Sequence, residues 1–497
     1  MAVDNMNRIA RQNGVALLVF VVVIAIAAIA YFLTGVSVHE ARHYQTVSTS
    51  KALHQAKQAL LAYAAIRADV SVPSLQQGEY GFLPCPETFK NGTEGNSAPS
   101  CNASGINALG WLPWKSLGLP PLKDESGACL LYAVSASYKK NPSYDMVNED
   151  TNGMFQVVDE AGAVITGNNP EDRIVAVIFA PGKALQGQNR NNTPGSVCGE
   201  DYANYDAYLD VGGATDNSDV DAATDAIDQF IHATASSISS ANPNPYNDKF
   251  VTISRREVWD AVLRRTDFIV SPSGKIRRLT EALARCIAAY GNSNSNRWLP
   301  MPAAENLSGN DYRDNYSYDD DSGTNHRGRY PFIVNTADGI IPGTAGGSIL
   351  FDKGICNALP ILFPPGPDAD LTTAGMTEDR VMWEHWKDHI FYTVSDTYDP
   401  KPVPLVPDPA PRCGPCMQVN GIDYAAVVIY SNSRLAGQVR EAPIAPTDID
   451  TKNNYLNYIE VVSPDTAGTG DFTPTVASND IMYCITDTEP LDVVTCP

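Results

Sequence analysis

A chain of 497 residues is long enough for more than one hydrophobic core, at about 150 residues per domain. Its formal net charge of −22, with no basic run to offset it, disfavours nucleic acid and anionic lipid headgroups as partners. Ten cysteines suit an oxidising compartment, where disulfides form and persist.

Arg8 and Arg11 lead to Gly14, after which an apolar stretch runs from Val15 to Leu33. About 19 such residues are just long enough to cross ~30 Å of hydrocarbon, and the arginines before them favour a cytoplasmic N-terminus. No proline occurs before Pro73, and apolar residues recur at Leu53, Ala56, Leu60 and Tyr63. One long helix over 15–70 is therefore expected, transmembrane over 15–33 and amphipathic beyond it. A secretory signal is cut after its apolar core; here the expected cut lies before it, at Gly14-Val15.

The rest of the chain reads as one pattern written twice, which calls for a search for repeats before any fold is assigned. Leu60-Leu61-Ala62-Tyr63 returns as Ile287-Ala288-Ala289-Tyr290, and Leu83-Pro84-Cys85-Pro86 as Leu299-Pro300-Met301-Pro302. Gly110-Trp111-Leu112-Pro113-Trp114 is echoed by Gly328-Arg329-Tyr330-Pro331-Phe332, and Leu130 to Ser135 by Ile390 to Ser395. Further on, Ala176-Val177-Ile178, Leu185 to Gln188 and Asn204-Tyr205 have counterparts at Ala426-Val427-Val428, Leu435 to Gln438 and Asn454-Tyr455. A last, weaker match pairs Asp248 to Ile253 with Asp480 to Ile485. The seven stronger echoes in one order imply duplication, with modules over 52–265 and 274–497. Short apolar runs bounded by turn residues predict strands at Leu130 to Ser135, Ile174 to Ala180, Ile390 to Ser395 and Ala425 to Tyr430. A helix over Ile276 to Tyr290 would turn Leu279, Leu283, Ile287 and Tyr290 to one side.

The basic leader ending in Gly14, the apolar helix behind it and the β-rich remainder together resemble type IV pilin-like proteins and pseudopilins. The resemblance implies a leader over 1–14, removal of it by prepilin peptidase between Gly14 and Val15, and methylation of the new N-terminus. Major pilins carry a glutamate five residues after the cut; here that position is Val19. A carboxylate inside a membrane is costly and is retained for a partner, so its replacement by Val19 points away from a repeating filament subunit and toward a minor or tip one. Residues Leu60 to Tyr138 are similar to a group of pilin-like proteins of proteobacteria. That second resemblance implies a disulfide between Cys85 and Cys101, a staple of about 3 kcal/mol.

Other motifs carry less. Cys413-Gly414-Pro415-Cys416 has thioredoxin-like spacing, but it follows a proline-rich segment and precedes a predicted strand rather than opening a helix. A structural disulfide or cross-links to neighbouring cysteines are the readings left open. His385 and His389 stand four apart without the glutamate of a metalloprotease motif. Asp319 and Asp321, and Asp219 and Asp221, lie in acidic loops that do not fit the twelve-residue calcium loop; some pseudopilins bind calcium in such loops, so they stand as weak calcium candidates. No catalytic residue and no cofactor is assigned.

The expectation is thus an α+β protein: a long N-terminal transmembrane and amphipathic helix followed by two tandem, duplicated pilin-like helix-plus-β-sheet modules. It would be a non-enzymatic minor component of a type IV pilus or type II secretion-type filament. It would sit in the inner membrane by a single pass, its bulk periplasmic or extracellular after assembly, with other pilins and prepilin peptidase as partners. The alternative is a permanently anchored adhesin or binding protein.

Overall fold

The computed structural model describes residues 19–25, 46–67, 78–88, 94–140, 146–185, 187–190, 196–198, 204–212, 215–220, 227–232, 246–270, 274–293, 297–307, 312, 315–320, 325–332, 334, 378–399, 413, 416–441, 451–462, 471–474 and 478–497. After a helical stretch at 19–25, helix α1 (46–66) buries Ala52, Leu53, Ala56, Leu60 and Ala64. Their spacing of one, three and four residues lines one side of the helix. Lys57 on α1 donates from Nζ to Thr252 O at 2.8 Å and pairs with Glu257 at 2.5 Å. Those contacts tie α1 to the first sheet and to the helix that follows it.

The first sheet comprises β1 (Ala108–Trp111), β2 (Leu131–Val134), β3 (Phe155–Val158), β4 (Val164–Thr166), β5 (Ile174–Ala180), β8 (Asp228–Ile231) and β9 (Lys249–Ser254), with β6 (Val211–Gly212) and β7 (Thr215–Asp216) forming a small ribbon beside it. The strands run in the order β1-β2-β5-β3-β4; β8 joins β3 in parallel and β9 joins β5. Helix α2 (Arg255–Leu263) follows β9 without a loop, because Ser254 caps it and Glu257 closes a reciprocal capping box. Helix α3 (Lys275–Ser293) then opens the second half, with Leu279, Leu283, Ile287 and Tyr290 buried.

The second sheet repeats the first. It holds β10 (Arg327–Arg329), β11 (Ile390–Val394), β12 (Met417–Val419), β13 (Ile422–Tyr430), β14 (Val461–Val462), β15 (Asp471–Pro474), β16 (Ile481–Thr486) and β17 (Val493–Thr495), in the order β10-β11-β13-β12-β15-β14 with β16 on β13. The registers agree in detail. Gly110 lies opposite Tyr132 and Gly328 opposite Tyr392; Tyr132 lies opposite Ile178 and Tyr392 opposite Val428. Both central strands carry an irregularity at the same place, between Ile174 and Ala176 and between Tyr424 and Ala426. A chain crossing over the first strand sits so close that only glycine fits below it. A Cβ on Gly110 would lie 2.6 Å from Glu87 O, and one on Gly328 1.9 Å from Ala303 O.

Alternate residues of β2 serve two cores, as a period of two requires. Tyr132 and Val134 enter the largest cluster, which also takes in α1, α2, α3 and the inner side of the second sheet. Leu131 and Ala133 face an outer cluster with Trp111, Phe179 and Tyr208. The second sheet has its own outer cluster around Phe391, Val427 and Tyr458. One apolar interior therefore joins the two sheets. Disulfides link Cys85 to Cys101, Cys129 to Cys198, Cys413 to Cys416 and Cys484 to Cys496.

The expected α+β architecture led by a long N-terminal transmembrane helix is corrected by this structure. Two sheets dominate it, and among the described residues no helix is long and apolar enough to cross a membrane. Helix α1 spends its apolar side on the protein interior, where Leu53, Ala56 and Leu60 join the largest buried cluster. The inner-membrane single-pass placement, and with it the membrane and pilin-helix features, is corrected on the same finding. Gly14, Val15 and the rest of the expected span 15–33 beyond 19–25 lie outside the described residues; Val19 opens the stretch with its side chain exposed.

Candidate functional site at the junction of the two sheets

Helix α4 (Glu378–Trp386) belongs to the second half but packs on the first. Trp386 meets the Trp259 ring of α2 edge-on at 5.4 Å, and His385 meets Phe82 at 5.5 Å. The turn after α4 then brings Asp388 and His389 to the loop Met146 to Asn152 of the first half. His385 Nδ1 accepts the Val147 backbone N–H at 2.9 Å. Asn148 donates to His385 O at 2.9 Å and to Asp388 Oδ1 at 2.8 Å.

Behind this seam lies a buried set of charges. Asp150 Oδ2 is 2.9 Å from His389 Nε2 and 3.7 Å from Lys452 Nζ, while its Oδ1 is 3.0 Å from Arg434 Nε. Lys452 is also paired with Asp388. Glu441 takes Arg434 at 2.6 Å on one oxygen and Arg255, from the first half, at 2.9 Å on the other. Arg440 is 3.4 Å from Glu149. Four carboxylates (Glu149, Asp150, Asp388, Glu441) thus face four cations (Arg255, Arg434, Arg440, Lys452), so their formal charges balance.

The electrostatics follow from that balance. Burial works to raise the Asp150 carboxyl, but His389, Lys452 and Arg434 hold it well below the usual carboxylate range. Asp388 is likewise pushed up by burial and brought down further by Lys452 and His389. His385 goes the other way: burial, then the Lys140 and Lys387 charges, press its imidazole down to about 3. A neutral ring is what an acceptor of the Val147 N–H requires.

Each half also contains a matching arginine node. Arg190 Nη1 donates to Gly182 O at 2.7 Å and Nε to Ala207 O at 2.8 Å, over the Tyr208 ring at 4.7 Å. Arg440 does the same toward Asn432 O at 2.7 Å and Asn457 O at 2.6 Å, over Tyr458 at 4.8 Å. Beside each arginine stands a carboxyl pair, Asp210 with Asp248 and Glu460 with Asp480, in which the first residue's backbone N–H donates to the second's side chain. Only the second arginine also reaches the junction, through Glu149.

The residues singled out in the sequence fall into different places. Cys85 and Cys101 are bonded to each other, as are Cys413 and Cys416. Cys416 Sγ lies 3.1 Å from Thr397 Oγ1 in the loop before β12. His385 and His389 serve separate partners, Val147 and Asp150. Asp219 donates its backbone N–H to Asp216 O at 3.2 Å, and Asp319 is exposed; Asp221 and Asp321 lie outside the described residues. Among the described residues, two groups offer convergent metal-ligand atoms: Glu149, Asp150 and His389, and His326, Asp396 and Asp399. Asp219 and Asp319 belong to neither. At the first of these groups Arg434 and Lys452 already neutralise Asp150. Asp150, Asp388, Glu441, Arg434 and Lys452 had not been singled out. Their signal is faint, since partners as far apart in the chain as Asp150 and Lys452 leave no spacing to read. Arg190 and Arg440 could have been found by carrying the Leu185 to Gln188 echo two residues further.

No family model, no curated protein and no solved structure matches the chain.

Proposed function

We propose that the chain is a non-catalytic subunit that acts by contact, a minor or tip component of a filament of the type IV pilus or type II secretion kind. The observation that carries this reading is the ion network from Asp150 to His389, Arg434 and Lys452, which joins the two modules through buried charges. Buried pairs of this sort add little net stability but penalise other arrangements of the parts they join. Two modules joined in this way suit a protein whose work is docking. The disulfides support service in an oxidising compartment.

Gly14 and Val15 favour the filament route, with prepilin peptidase and other pilins as partners, and Val19 in place of the glutamate favours a minor or tip subunit over a repeating one. Mass spectrometry of the native N-terminus, with fractionation of sheared filaments, tests it. A mature chain beginning at Val15 that co-sediments with filaments supports the proposal. A chain that retains Met1 and never fractionates with filaments would make it a stand-alone binding protein.

A further inference from the structure

His326, Asp396 and Asp399 meet at the edge of the second module, away from the junction. His326 immediately precedes β10 and is buried, whereas Asp396 opens the short 3-10 turn after β11 and Asp399 follows it. His326 Nε2 is 3.2 Å from Asp399 Oδ2 and 3.7 Å from Asp396 Oδ1, and one ligand atom from each residue lies within 4.8 Å of the others. Donors bound to one zinc ion at about 2.0–2.2 Å in tetrahedral array stand about 3.3–3.6 Å apart. The two measured separations bracket that range closely enough for small side-chain rotations to close the site.

The duplication supplies an internal comparison. The registers of β1 with β2 and of β10 with β11 put Ala108 at the place of His326. The turns after them, closed by Tyr138 N to Ser135 O and Tyr398 N to Ser395 O, put Ala136 at the place of Asp396 and Lys139 at that of Asp399. In the first module, then, alanines stand at the places of His326 and Asp396, and the place of Asp399 holds a fully buried lysine. Its Nζ donates to Cys101 O and Ala103 O, each at 2.6 Å. The first module carries its own cation at this corner. In the second, all three positions have become donors, two of them anionic, and the side chain of Asp396 is 46% exposed.

We propose that His326, Asp396 and Asp399 bind one divalent ion of the zinc class in the second module, with a coordination position left open to solvent or to a donor from a partner. One imidazole and two carboxylates favour zinc or cobalt over calcium, which takes six to eight oxygens. The site is independent of the filament reading.

Calorimetry on the full chain with Zn2+, and visible absorption with Co2+ as the spectroscopic probe, test the assignment. About one equivalent should bind, with excess Ca2+ failing to displace it. Asp396→Asn and Asp399→Asn should each weaken binding by at least the roughly tenfold that losing even an outer-shell partner costs. His326→Gln should remove the nitrogen donor from the zinc X-ray absorption spectrum. Asp396→Asn is the decisive variant, because so exposed a side chain can be changed without unfolding the chain. Binding that is absent, or that is unchanged in Asp396→Asn and shows no histidine donor, would overturn the proposal.

Discussion

His389 of the second module reaches Asp150 of the first across their junction, Nε2 to Oδ2 at 2.9 Å, with both side chains fully buried. The other face of the imidazole is also committed, since Nδ1 lies 3.0 Å from the carbonyl of Ser431. One ring therefore connects a loop of the first sheet to the strand ends of the second.

Asp150→Asn should destabilise the protein by about 3–5 kcal/mol, the usual cost of leaving a buried charge without its partner. Arg434, Lys452 and His389 would all lose their common anion. Urea unfolding followed by tryptophan fluorescence checks this. If the variant unfolds within 1 kcal/mol of the parent (about 1 kcal/mol being a surface-pair effect), the junction is not held by these charges.

Stability should depend on pH in two arms. Asp150 and Asp388 are held below the ordinary carboxylate range, so their contribution is full above about pH 4 and is lost as pH falls through their lowered values. Asp480 is opposite: burial, then the neighbouring Glu460 charge, pushes its carboxyl up to about 8 from an ordinary 3.8. The folded state then holds a proton that the unfolded chain releases, so stability falls as pH rises from about 4 to about 8. Chemical denaturation across that interval should show the decline, and Asp480→Asn should make it shallower, Glu87 and Asp248, also raised by burial, supplying the rest. An equal slope in parent and variant would dismiss Asp480 as its source.

Gly328→Ala and Gly110→Ala should both be destabilising, because the added Cβ would meet Ala303 O at 1.9 Å and Glu87 O at 2.6 Å. Overpacking against backbone costs about 1–3 kcal/mol, and the tighter approach at Gly328 should make it the worse of the two. Thermal melts of the pair decide the order; a neutral Gly328→Ala would mean that the crossing segment is free to move.

The disulfides should differ in weight. Cys129 and Cys198 are 69 residues apart, whereas Cys413 and Cys416 are 3 apart. Chain-entropy arguments assign about 4 kcal/mol to the longer loop and about 2 kcal/mol to the shorter. Replacing the first pair with serines should lower the melting temperature more than replacing the second. The reverse order would assign Cys413 and Cys416 a role other than chain restraint.

Much of the framework was legible because strands and helices are local. Leu130 to Ser135 and Ile390 to Ser395 carry the same run of apolar and aromatic residues, and they contain β2 and β11, which hold the same place in their sheets. The N-terminal helix was misjudged in extent because hydropathy and helical spacing are blind to what covers an apolar side. Leu53, Ala56 and Leu60 read equally well as a filament face or as a core, and packing against the first sheet made them core.

Local pattern thus settled which segments become strands, since a strand's run of apolar residues depends on neighbours a few residues away. The meeting of Asp150 with His389, and of His326 with Asp396 and Asp399, was decided only when the sheets closed on each other. A charge is placed by the distant group that neutralises it, and no spacing along the chain records that distance.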